Sequence, residues 1–130
     1  VAGCGEADGV ADGASVATYA AAPLCSEAKR ELARVGGRAG DVRVKVTCLP
    51  LAERDGKLDL AQIGANARRA TEDSSAIAYI GEPTRAASHF SEPILEEAGI
   101  RQFSQMSGVE AIRKLLRGLE AEGDSGYNRF

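Results

Sequence analysis

Six residues in two short polar segments carry the chemistry that a small ligand would use. Glu82, Thr84 and Arg85 lie in the first segment, and Ser104, Gln105 and Ser107 in the second. Each segment follows an apolar run and leads into a helical pattern. First-turn amides and the helix dipole favour a negative group at such a place. The hydroxyls of Thr84, Ser104 and Ser107 can donate to a carboxylate, and Glu82 can take an ammonium group. A plainer reading stands beside this one: Ser107 is only a helix cap, and Thr84 only a first-turn residue.

Catalytic constellations are missing. His89 is the single histidine, so a histidine-based metal cluster is excluded. Cys25 precedes Arg30 in a way that suggests a phosphatase loop, but that loop needs five intervening residues, and Glu31 occupies the place of its arginine. Gly36-Gly37-Arg38-Ala39-Gly40 precedes a strand, the wrong side for a dinucleotide fingerprint. No Walker loop is present. The residues point to binding without a cofactor, not to an enzyme.

The elements that would hold the two segments read as follows. Ser15–Ala22 is a buried strand ended by Pro23, and Ser26 is a candidate cap for a helix carrying Ala28, Leu32 and Val35. Gly36-Gly37 stops that helix. Asp41–Cys48 alternates Val42, Val44 and Val46 with Arg43, Lys45 and Thr47, a half-buried strand suited to a sheet edge. A loop spans Leu49–Leu58. Asp59 and Gln62 form a capping box for a helix with Leu60, Ile63, Ala67 and Ala70 on one face. Ala76–Ile80 is a central strand, followed by a helix starting at Pro83 and kinked at Pro93. Ile100–Phe103 is the fourth strand. Ser107 and Glu110 cap the last helix, whose face carries Val109, Ile112, Leu115, Leu116 and Leu119.

Strand, turn, helix and strand over Ala76–Ser107 make a βαβ unit with parallel strands, which puts both polar turns on one sheet edge. The fold expected is α/β: a three-layer, Rossmann-like or flavodoxin-like parallel sheet of about four strands in the order 2-1-3-4. Its switch point lies between the first and third strands.

Size and composition agree with one soluble domain. The chain has 130 residues, 44% hydrophobic and 27% charged, with only 5% aromatic. Its net charge of −3 lacks the basic face a nucleic-acid partner requires. No apolar run approaches the roughly 20 residues of a membrane helix. Cys25 follows the first strand and Cys48 ends the second. If those strands are parallel neighbours a disulfide between them is geometrically reasonable; two buried free thiols are the alternative.

Residues 77–107 resemble the first lobe of periplasmic solute-binding proteins of the branched-chain amino-acid type, which serve ABC transporters. The likeness rests on Ile80-Gly81 and its polar turn, Pro93-Ile94-Leu95, Glu97-Ala98-Gly99-Ile100 and the turn at Ser104-Gln105, where the family usually has proline at 105. It covers about a quarter of the chain closely, with a looser match back to Val16. The resemblance implies that Thr84, Ser104 and Ser107 contact an amino-acid-like ligand, with Arg85 and Gln105 lining the site. It also implies an ABC permease, a second lobe or a partner chain. A degenerate or shortened lobe acting as a non-catalytic interaction module is the alternative.

Val1-Ala2-Gly3-Cys4 resembles the end of a lipoprotein signal, with Cys4 as the lipidated residue. This implies an extracytoplasmic protein that meets the membrane only through a lipid anchor. Residues 1–15 then form that N-terminus and a flexible tether, 16–122 the α/β domain, and 123–130 a frayed tail.

Overall fold

The structure, a computed structural model, describes residues 15–124. Cys4, the tether up to residue 14 and the tail after residue 124 lie outside the described residues. The elements in order are β1 (Ser15–Ala20), α1 (Ala22–Arg34), β2 (Arg38–Ala39), β3 (Val42–Cys48), β4 (Glu53–Arg54), β5 (Lys57–Leu58), α2 (Leu60–Thr71), β6 (Ala76–Ile80), α3 (Arg85–Glu97), β7 (Arg101–Phe103) and α4 (Gly108–Asp124).

Five strands form one sheet in the order β2-β3-β1-β6-β7, and β4 pairs with β5 in a separate antiparallel ribbon. β3, β1, β6 and β7 run parallel; β2 runs antiparallel to β3. The four strands read from the sequence thus stand in the expected 2-1-3-4 order, with one short strand added.

Burial explains the layering. β6 buries all five residues and β1 buries all but its first, because both are covered on both faces. On one face Val16, Val44 and Ile80 pack with Leu24, Ala28 and Leu32 of α1 and with Ile112, Leu115 and Leu119 of α4. On the other face Ala17, Tyr19 and Tyr79 pack with Ala67 and Ala70 of α2 and Leu95 of α3. Ile112, Leu115 and Leu119 are at most 1% exposed, and each such side chain contributes about 1.5–3 kcal/mol on burial.

Several local expectations need correction. β3 is not the sheet edge. Gly36 and Gly37, at φ +91° and +74°, reverse the chain, so Arg38–Ala39 adds an outer antiparallel strand. α1 starts at Ala22 and not after Ser26, because Pro23 suits the first helical turn, where no amide donor is needed. α3 starts at Arg85 and not at Pro83; Thr84 is its N-cap and accepts from the Ala87 amide. Residues 49–58 are not wholly loop, since Asp55-Gly56 turns the β4–β5 ribbon. The capping box of α2 is half made. Asp59 Oδ1 accepts from the Gln62 amide, but the Gln62 carboxamide donates to Asn66 Oδ1.

Two further fastenings join α1 to its neighbours. Cys25 and Cys48 form a disulfide with Cα atoms 5.6 Å apart, linking the first turn of α1 to the end of β3. The Glu31 carboxylate accepts from Arg34 Nε at 3.0 Å, Arg34 Nη2 at 2.7 Å and Arg113 Nε of α4 at 3.1 Å. Those hydrogen bonds hold the carboxyl down at about 2.

Candidate functional site

The switch point of the sheet lies between β1 and β6. After β1 the chain crosses to β3, and after β6 it crosses the other way to β7. The segments leaving those two strands therefore part, and a crevice opens at their carboxyl ends. A cleft of about 90 Å³ occupies that place. Ala21–Pro23 form one wall, Glu82–Thr84 and Ala87 another, and Pro50–Glu53 with Leu58 and Asn66 the third.

Local chemistry fixes each wall. Asn66 lies on the buried face of α2, donates to the Pro50 carbonyl at 3.0 Å and accepts from Gln62. That chain of bonds ties the loop after β3 to the helix. The turn after β6 is held by Gln102, whose Nε2 donates to the Gly81 carbonyl at 2.9 Å and to Ser91 Oγ at 2.7 Å. Gly81 has φ +146° and an added Cβ would stand 3.0 Å from Ala21 Cβ, so the two walls approach as closely as glycine permits.

Glu82 is the buried carboxyl of the cleft, and Glu53 on the third wall is an exposed one. Glu82 is 4% exposed, and its Oε2 accepts from the Tyr79 hydroxyl at 2.7 Å. Burial pushes the carboxyl above its ordinary range, and the Tyr79 hydrogen bond opposes that shift in part. The Tyr79 hydroxyl is pushed up strongly, first by burial and then by the charge of Glu82. A buried carboxyl with a raised pKa in a crevice has the character of a functional group.

Of the six residues singled out in the sequence, Glu82 and Thr84 line the cleft. Arg85, Ser104, Gln105 and Ser107 are not among its lining residues. The two polar turns do lie side by side, since the Gln105 amide donates to the Glu82 carbonyl at 3.0 Å and the Gly81 amide to the Phe103 carbonyl at 2.9 Å. Ser107 Oγ accepts from the Glu110 amide as a helix cap. The Gly108 amide, read as a place for a ligand carboxylate, donates to Glu27 Oε1 at 2.8 Å. The chain supplies its own carboxylate there.

Sequence reading missed Asn66, Tyr79, Gln102 and Glu27. Asn66 had a signal, because it falls three residues after Ile63 on the apolar face of its helix, where a polar side chain needs a partner. Among the described residues no group of three or more histidines, cysteines or carboxylates is placed to hold a metal. Comparison of the chain with protein-family models, with curated proteins and with solved structures finds no match.

Proposed function

We propose that this chain is a non-catalytic solute-binding lobe on a flavodoxin-like sheet, acting outside the cytoplasm in ABC-type uptake of an amino acid or a similar small carboxylate or amide. The observation that carries this reading is the cleft at the switch point, with a buried carboxyl on one wall and helix starts on two sides. The N-termini of α1 and α3 both open onto it. Their dipoles favour a carboxylate, Glu82 suits an ammonium group, and Ala22, Pro23 and Leu58 offer apolar contact. The disulfide suits an oxidising compartment. No helix of the described residues is long and apolar enough to cross a membrane. Anchoring through Cys4 follows from the lipoprotein resemblance alone.

Ligand pockets that enclose a solute measure about 300–1,000 Å³, so the cleft described is one half of a site. A second lobe or a partner chain supplies the rest. The same small volume favours the second reading, a degenerate lobe kept as an interaction module, as do the exposed side chains of Leu51 and Leu58 at the rim.

A thermal-shift titration with leucine, valine and their amides separates the two. Solute binding gives a rise in melting temperature that grows with the logarithm of ligand concentration above Kd, equivalent to about 2.7 kcal/mol at a hundredfold excess. Glu82→Gln weakens that rise for the ammonium-bearing ligands. Absence of a shift with every compound leaves the interaction module.

A further inference from the structure

We infer that the cleft grips the ammonium end of its solute and leaves the carboxylate end to the missing half of the site, so that this lobe by itself takes small aliphatic amines. The inference rests on the solute-binding reading and narrows it to one ligand class.

The two oxygens of the Glu82 carboxyl differ. Oε2 accepts from the Tyr79 hydroxyl. Oε1 accepts from no donor among the described residues. It is not sealed in either, because among those residues Thr18 Oγ1 is the sole enclosed side-chain polar atom without a partner. Glu82 lines the cleft, so Oε1 is the oxygen that faces it. Buried polar groups are ordinarily hydrogen-bonded, and a buried carboxylate short of a donor destabilises the fold. A ligand that brings N–H donors and positive charge supplies both missing things.

The rest of the lining favours the same choice. Glu53 adds a second carboxylate, and no lysine, arginine or histidine lines the cleft. Arg54, Lys57 and Arg85 adjoin lining residues in sequence but do not line it, and Arg54 lies 3.8 Å from Asp59. Asn66 and Thr84 are the only lining side chains with an N–H or hydroxyl group. Both are engaged, Asn66 with the Pro50 carbonyl and Thr84 with the Ala87 amide. Three of the chain's four prolines, Pro23, Pro50 and Pro83, stand in the walls and have no amide to offer. In the first turn of α1 the Leu24 amide already donates to the Ala21 carbonyl. A carboxylate would therefore meet two like charges and fewer donors than two helix starts ordinarily offer. At about 90 Å³ the cleft has room for about three water molecules. That suits an ammonium group on a short stem, with Ala21, Pro23 and Leu58 against the stem.

Valine stripped of one end or the other tests the inference. Isobutylamine keeps the ammonium, isovalerate keeps the carboxylate, and both keep the branched apolar end. Amide chemical-shift titrations of the whole chain at neutral pH read binding and its place. Isobutylamine shifts the amides of Ala22, Glu82 and Thr84 saturably, with a Kd in about the millimolar range, and isovalerate does not. Glu82→Gln weakens amine binding by about tenfold or more, and Glu53→Gln weakens it less because that carboxylate is exposed. Isovalerate binding as tightly as the amine, no binding of the amine, or amine binding indifferent to Glu82→Gln overturns the inference. Valine measured alongside separates the two levels. Valine binding while isobutylamine stays silent overturns the choice of end alone, whereas silence from all three compounds sinks the solute-binding reading with it.

Discussion

Glu82 is the residue with the most at stake. Its carboxyl is buried beside Tyr79 and titrates above the ordinary glutamate range. Ionising it in the folded chain is harder than in the unfolded chain, so the sign is fixed. Stability is fully present below the ordinary glutamate range and falls as pH rises through the folded value. Glu82→Gln keeps an acceptor for the Tyr79 hydroxyl and cannot ionise. Parent and variant should melt together near about pH 4, with the variant melting higher at about pH 8. Equal gaps at both pH values would show that Glu82 does not titrate in this range.

At the scale of the element, α1 and α4 are the pair with the least tolerance. A Cβ on Gly108 would stand 2.4 Å from the Leu24 carbonyl oxygen and 2.8 Å from the Ala28 amide nitrogen, both backbone atoms that cannot rotate away. Gly108→Ala therefore forces the helices apart and costs about 1–3 kcal/mol. Urea denaturation reads this directly, and an unchanged midpoint would contradict the close approach. Much at this scale was legible in the sequence. Val42, Val44 and Val46 alternate because one face of their strand is buried and the other is wet. Ile112, Leu115 and Leu119 repeat at helical spacing because one face of α4 meets the core. The Glu27 bond to Gly108 was not legible, since it joins residues 81 apart through the packing of two helices on one face of the sheet. The short β2 was missed for a related reason: two residues carry no periodicity, and their pairing follows from the glycine reversal before them.

At the scale of the whole molecule, the disulfide closes a loop of sequence separation 23 that holds all of β2 and most of α1. Reduction should cost about 3 kcal/mol by loop entropy. Denaturant midpoints measured with and without reductant test this, and coincident midpoints would show that the crosslink adds nothing to stability. The parallel order and the switch point were readable from the alternation of strands and helices, because crossover handedness leaves few arrangements. Which of the six candidate residues would line the cleft was not. Spacing along the chain puts two turns at one edge, but side-chain direction there is set by whichever amide or carbonyl each residue finds in the assembled layers.

Placing α4 last among these elements has a consequence for synthesis on the ribosome. The α2–α3 side of the sheet can close as soon as β7 has emerged. The opposite side, with Val16, Val44 and Ile80, has only α1 over it until residues 108–119 follow, and a stall before that point would leave a sticky half-clad sheet.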